Sequence, residues 1–268
     1  MENQSLRMLL KSLSGHLFKN HKQRNWSKTG KHILLICLFS CGFSLFATPQ
    51  KVEDKLLYGN QSEKLSAIGY CAYAKLESCY YQLIELMKDS DNVIRAESAH
   101  AIGMIGIQES IPHLAKYLEN EKDELVIKRI ISAFGLLRNK KGADIVLPYI
   151  THKSTSIRMA TARALIEIQK PETLEKINEA ITTEKDELIK TSLIHASLKI
   201  NRRNSEHVVA LARSLFDTRK HVRYQAAVTA RDLKLKELLK SLSSAIKLEK
   251  DAWVKGALEK AYYKTLYD

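Results

Sequence analysis

Asp91–Asn120 reads DNVIRAESAHAIGMIGIQESIPHLAKYLEN. In its first half Val93, Ala96, Ala99, Ala101, Ile102 and Ile105 recur at near-helical spacing, and such a stripe marks one buried helical face. Asp91 stands just ahead of it, where a carboxylate accepts the unpaired N–H groups of a helix start. Gly103 and Gly106 bracket the helix end, and glycine tolerates the left-handed conformation a C-terminus often needs. Glu109–Ser110 open a second helix with Pro112 in its first turn, where no intrahelical N–H is required. Ile111, Leu114 and Leu118 form its apolar stripe. The stretch is a helix, a tight turn and a second helix.

The unit recurs. A β-branched residue followed by a basic one stands at Ile94–Arg95, Ile127–Lys128, Ile157–Arg158, Ile189–Lys190, Val222–Arg223 and Val254–Lys255, in steps of 33, 30, 32, 33 and 32 residues. Asp91, Asp123, Asp186 and Asp251 precede four of them, and a weaker unit runs upstream from Ser62 to Asp89. About six and a half units at a period near 32 are the signature of a stacked helical array. One pair cannot bury its apolar face alone; stacked neighbours share a continuous core. The composition agrees: 268 residues, 45% hydrophobic, 7% aromatic and four prolines suit an elongated all-α domain.

The pattern D-x-x-(V/I)-R-x-x-x-A-x-A-(I/L)-G followed by (I/L)-P-x-L resembles the HEAT repeat, in particular the short HEAT-like repeats of the phycobilisome-lyase type. It is good in 91–119, fair in 154–182 and 217–246, and weak in 186–216, which lacks the glycine. The resemblance covers roughly residues 60–268 and implies an all-α, right-handed α-α superhelix, a HEAT/armadillo-like solenoid of about 6–7 helical pairs. It also implies a structural ladder of Asp and basic residues from successive units: Asp91, Arg95, Asp123, Lys128, Arg158, Asp186, Lys190, Arg223, Asp251 and Lys255. Such motifs specify a fold reliably and a function poorly.

Upstream lies a targeting pattern. Residues 1–31 carry seven basic residues against one acid, followed by HILLICLFSCGFSLFA from His32 to Ala47. The apolar core 33–46 is shorter than the roughly 20 residues that span a bilayer. A basic segment, a short apolar core and a small residue at its end read as a secretion signal. We expect cleavage after Ala47, a short lead-in over 48–61, and a solenoid over 62–268 in the periplasm or envelope. Two alternatives stay open: an uncleaved anchor through 33–46, and a lipobox in which Cys41 is lipidated. Removing residues 1–47 lowers the formal charge from +13 to +7.

Cys71 and Cys79 are the only cysteines beyond the signal. Along a continuous helix eight residues separate Cα atoms by roughly 12 Å, too far to bridge. Two buried free thiols are therefore expected, a disulfide across the unit's turn being the alternative that export would allow. Tyr70, Tyr73, Tyr80 and Tyr81 in the first unit and Tyr262, Tyr263 and Tyr267 in the last are expected to cap the array's ends, with a docking patch as the alternative. Pro148 should kink the helix over 142–151.

No catalytic signature stands out. The six histidines after the signal form no H-x-x-x-H, H-E-x-x-H or C-x-x-C arrangement, so no metal or cofactor is expected. Some HEAT-like enzymes ligate a di-iron centre through His-Glu dipeptides, and this sequence has none. Charge is the localised signal: 199–240 holds eleven basic residues and four acids, including Lys199, Arg202, Arg203, Arg219 and Lys220. Such a field attracts anionic partners. Aromatic residues are nearly absent from that window, so no stacking platform is visible, and export argues against nucleic acid. On the helices that bear the basic ladder, Glu97, His100, Arg163, Glu167, His195, Lys199 and Lys260 project toward the concave face. The expectation is an exported scaffold holding a protein partner with an acidic surface; an anionic lipid or wall polymer also fits the charge. A HEAT-like lyase or oxidoreductase, or its accessory subunit, is the alternative, and a polyanion binder a third if the chain is not exported.

Overall fold

The computed structural model describes residues 49–267. The secretion signal, its cleavage point after Ala47, the apolar run 33–46 and Cys41 lie outside the described residues. Within them fourteen α-helices follow one another with no strand: α1 Pro49–Tyr58, α2 Gln61–Ala74, α3 Tyr80–Leu86, α4 Asn92–Ile105, α5 Ile111–Asn120, α6 Glu124–Leu137, α7 Lys140–Val146, α8 Thr155–Ile168, α9 Leu174–Thr183, α10 Glu187–Ile200, α11 Ser205–Ser214, α12 Lys220–Leu233, α13 Leu239–Leu248 and α14 Ala252–Tyr267. The even-numbered helices are long and stack directly on one another. The odd-numbered helices from α3 onward are short and pack mainly against their long neighbours. This is an α-α solenoid of six pairs and a final long helix. None of the described helices is long and apolar enough to cross a membrane.

Packing on several sides explains the small residues of the long helices. In α4 Ile94, Ala96, Ser98, Ala99, Ala101, Ile102, Gly103 and Ile105 are buried; Ile94, not Val93, points inward, because the helix is covered by α2, α6 and α3 rather than along one stripe. In α5 Ile111, Leu114 and Leu118 are buried as the spacing predicts. Gly106 closes α4 with φ 95°. Gly103 does not serve the turn: it lies inside α4, and a Cβ there would stand 2.7 Å from the Cα of Ala133. Gly135 meets Ala164 of α8 the same way, at 2.9 Å. At the equivalent position α8 and α10 carry Ile166 and Leu198.

Other long helices end without glycine. Lys75, Arg138, Gln169 and Lys234 take the left-handed conformation at φ 49–53°. Pro148 ends a helix instead of kinking it: α7 stops at Val146 and a 3₁₀ segment, Leu147–Thr151, continues the chain. Residues 49–58, read as lead-in, form α1, which lays Val52 and Leu56 into the core. The terminal tyrosines divide. Tyr80 and Tyr262 are partly buried against the core, whereas Tyr73, Tyr81 and Tyr267 are 87%, 78% and 78% exposed, Tyr81 against Tyr80 and Tyr267 against Tyr263.

Cys71 and Cys79 are bonded, against the expectation of free thiols. α2 stops at Ala74, the chain reverses at Lys75, and the 3₁₀ turn Glu77–Cys79 returns the second sulfur to the first, at a Cα–Cα separation of 6.3 Å. The eight residues fold back, so the helix-length argument does not apply. By the loop-entropy relation a ring this short stabilises by about 2.5 kcal/mol. Cys71→Ser/Cys79→Ser is expected to lose about that much in urea denaturation, with reduced wild type matching it. Equal midpoints for oxidised and reduced protein would remove the cross-link from the fold's stability.

Candidate functional site

The ladder is built differently from the expected Asp–Arg pairing. Asp91, Asp123, Asp186 and Asp251 each turn Oδ1 onto the first free N–H groups of their own helix, as in Leu188 N–H at 2.9 Å and Ile189 N–H at 3.2 Å on Asp186. The second oxygens of Asp91, Asp123 and Asp251 reach the preceding unit: Gln61 donates to Asp91, Asn92 to Asp123 at 2.8 Å, and Lys220 pairs with Asp251 at 3.4 Å. With the aspartates committed to caps, the arginines take glutamates. Arg95, Arg158 and Arg223 donate through Nε to Glu121, Glu184 and Glu249 at 2.9, 2.7 and 2.6 Å. Each arginine also turns Nη1 onto two carbonyls before its helix, as Arg158 does onto His152 and Lys153. Each glutamate accepts the N–H groups of the following Lys and Asp.

Burial raises the Glu184 carboxyl, but Arg158 and two backbone N–H groups pull it further down, to a net position below the ordinary carboxylate range. In Glu249 the Arg223 hydrogen bond is the dominant cause of the same downward shift. The signal for these glutamates lies in the sequence as E-K-D at 121–123, 184–186 and 249–251. It was missed because the spacing of the Asp alone was followed. Among the described residues the Arg–Glu braces fall in alternate units, and in the first unit Lys64 makes the equivalent pair with Asp89 at 2.8 Å. Lys128, Lys190 and Lys255 hold the equivalent position without a glutamate from the next unit; Lys190 lies 4.0 Å from Glu187 in its own helix.

Much of the basic window is likewise committed to structure. Arg202 donates to the carbonyl of Leu233, capping α12 from the preceding unit. Gln108 caps α6 at Leu137 and Lys140 caps α8 at Ile168 in the same manner. Arg219 pairs with Asp217, and Lys199 with Asp232 at 2.8 Å. Among the described residues Arg203, Arg213, Arg231, Lys236 and Lys240 have no ion-pair partner.

The projected face holds two polar clusters. Glu97 on α4 pairs with Arg129 on α6 at 2.7 Å, and His100 lies beside them, its pKa lowered by burial and by the Arg129 charge. Further along, His195 Nε2 meets Asp232 Oδ2 at 2.8 Å across α10 and α12. Burial lowers the His195 pKa more than Asp232 raises it, so at neutral pH Nε2–H donates and Nδ1 stays buried without a partner. Glu167 pairs with Arg138 at 2.6 Å; Arg163 is exposed and carries no ion pair. Arg129 and Asp232, the partners of Glu97 and of His195, were not singled out in the sequence. Ser197 contacts His207 Nδ1 at 2.9 Å and Asn178 at 3.0 Å. Ser197 is fully buried, so it pegs α9, α10 and α11 together and meets no substrate. No metal-holding group of His, Cys, Asp or Glu occurs among the described residues.

Comparison with known proteins supports the repeat architecture. The sequence pattern of HEAT repeats matches residues 59–135 and 111–198, more than half the chain. No curated protein matches by sequence. Among solved structures, the complex of CpcE and CpcF of phycocyanin lyase from Nostoc sp. PCC7120 is similar at 13% identity and a TM-score of 0.61, covering 83% of this chain and 96% of that one. YibA of E. coli is similar at 17% identity and 0.51, covering 92% and 100%. The Mot1 N-terminal domain in complex with TBP is similar at 14% identity and 0.53, covering 97% of this chain and 39% of that one. At these identities the likeness is one of fold.

Proposed function

Since the chain belongs to the HEAT-repeat family, we propose that it is an exported scaffold that holds a protein partner along its row of long helices. The observation that carries this reading is the asymmetry of the two rows. The long helices approach as closely as Gly103 on Ala133 allows, while the short helices touch mainly their long neighbours. In a curved array the row with the closer spacing lies inside, so the long helices line the concave side. Their outward positions present separate polar and apolar side chains over many repeats, a surface suited to docking. In the CpcE–CpcF and Mot1–TBP complexes a chain of this fold is bound to a protein, which supports a protein partner here.

Export is supported by the basic and apolar N-terminal pattern and by the Cys71–Cys79 bond, a kind of cross-link that persists in oxidising compartments. The acidic-partner reading narrows from the whole basic window to Arg203, Arg231 and Lys236. The Arg202–Leu233 contact brings the turn after α10 against the end of α12, and these three uncommitted charges lie on those segments.

Fractionation and crosslinking of the full chain test the proposal. The protein is expected outside the cytoplasm, with 71 and 79 recovered as a bonded peptide pair and with one protein partner in stoichiometric amount. Reversing Arg203, Arg231 and Lys236 to Glu is expected to weaken that capture at least tenfold at low salt. A cytoplasmic chain with two alkylatable thiols would overturn export. A chain that crosslinks to nothing would overturn the scaffold.

A further inference from the structure

The window that looked nearly empty of aromatics contributes Tyr224 to a stacked pair with Trp253 beyond it. Tyr224 on α12 and Trp253 on α14 lie ring on ring, 3.6 Å between centroids and 8° from parallel. Tyr224 is half-buried beneath, and Trp253 is 53% exposed, so one indole face is held rigidly and the other meets solvent. The positions neighbouring Trp253 on α14 are small. Its flanking positions on that helix are Ala252, Gly256 and Ala257, and a Cβ on Gly256 would meet nothing within 4 Å. Two lysines lie on the same two helices as the stacked rings. Lys220 is fixed at the start of α14 by Asp251. Lys260, exposed and without an ion pair, stands two turns along the face that bears Trp253, about 10 Å away.

We propose that this platform binds an anionic polysaccharide, one ring lying on Trp253 and the acidic groups of its neighbours reaching Lys260 and Lys220. The C–H face of a pyranose is apolar and weakly positive, which suits the negative face of an indole. An open, linear surface accepts a polymer, whereas a single nucleotide needs an enclosing pocket. Single-stranded nucleic acid uses a run of aromatics for successive bases, and here one stack stands alone. The choice of glycan over nucleic acid rests on the export reading above; the site itself does not, nor does it depend on a protein partner.

The sequence holds two tryptophans, Trp26 and Trp253, so the full-length Trp26→Phe protein reports on this site by its own fluorescence. Titration with polygalacturonate is expected to quench or shift that emission, weakly at high salt, while neutral dextran leaves it unchanged. In affinity electrophoresis Trp253→Ala should lose at least tenfold in binding. Gly256→Glu, which puts a like charge into open space and leaves the ring in place, should also bind at least tenfold more weakly. Lys260→Gln should flatten the salt dependence. Unmoved fluorescence with unchanged mobility would overturn the site. Equal binding of dextran would overturn the role of charge. Tighter binding of a twelve-residue oligothymidylate would reassign the platform to nucleic acid. Loss of protein-partner capture in Trp253→Ala, with no glycan bound, would make the ring part of the protein interface and end the proposal.

Discussion

Gly103→Val is expected to destabilise the array by about 3 kcal/mol, near the upper end for overpacking a well-filled core. The first atom of any side chain there would lie 2.7 Å from the Cα and 3.1 Å from the carbonyl oxygen of Ala133. Those are backbone atoms of α6, so no rotamer relieves the clash and the two helices must part. Gly135 makes the same contact with Ala164 one unit on. Gly69 and Gly256 are the internal controls. Both sit within helices with nothing near the missing Cβ, so Gly69→Ala and Gly256→Ala should each stabilise by about 0.5–1 kcal/mol, the helix-propensity difference between the residues. Urea midpoints for the three variants decide the matter. A Gly103→Val with a native midpoint would mean that α4 and α6 do not meet in this register, and a destabilised Gly256→Ala would mean that the space beside α14 is not open.

This contact marks where sequence reasoning stops. The 32-residue phase was legible because Asp, the β-branched–basic pair and the apolar stripes repeat, and periodicity survives when individual residues drift. The role of Gly103 was not: a glycine near a helix end looks the same whether it turns the chain or admits a neighbouring backbone, and only the position of Ala133 separates the two. The disulfide failed for a related reason. Eight residues span a long distance along a helix and a short one across a turn, and whether α2 stops at Ala74 is decided by Lys75 in a conformation nothing about lysine announces. The aromatic platform was hidden by counting inside a window, since Tyr224 and Trp253 are 29 residues apart in sequence and adjacent in space. What single residues announce locally, such as the Asp caps and the apolar face of α5, came through. What depends on two units meeting did not, apart from the period itself.

The Arg–Glu brace carries the second large effect. Glu184 is 5% exposed in its side chain and Arg158 is 16% exposed. Removing the guanidinium leaves the carboxylate desolvated with only two backbone N–H groups to hold it. Arg158→Met is therefore expected to cost about 3 kcal/mol at neutral pH, the lower end for breaking a buried pair. The equivalent Lys190→Met, one unit on and without a glutamate partner from the next unit, should stay within about 0.5 kcal/mol. The pH dependence separates the charge from the packing. In the native protein Glu184 sits below its ordinary range, so its contribution is complete above the unfolded carboxylate value of about 4.3 and is lost as pH falls through the depressed native value. In Arg158→Met burial acts without its main opponent and the carboxyl rises above its unfolded value. The sign then inverts: the penalty is absent in acid and grows as pH climbs from about 4.3 through the raised value. The gap between wild type and Arg158→Met should thus be widest near pH 7 and narrow toward pH 4. Arg158→Met/Glu184→Gln should recover part of the loss at pH 7, because the amide is neutral where the carboxylate was not. A gap that is constant from pH 4 to 7, with no recovery in the double variant, would assign the whole effect to the lost carbonyl contacts of Nη1 and leave the repeated E-K-D with no electrostatic part in the array.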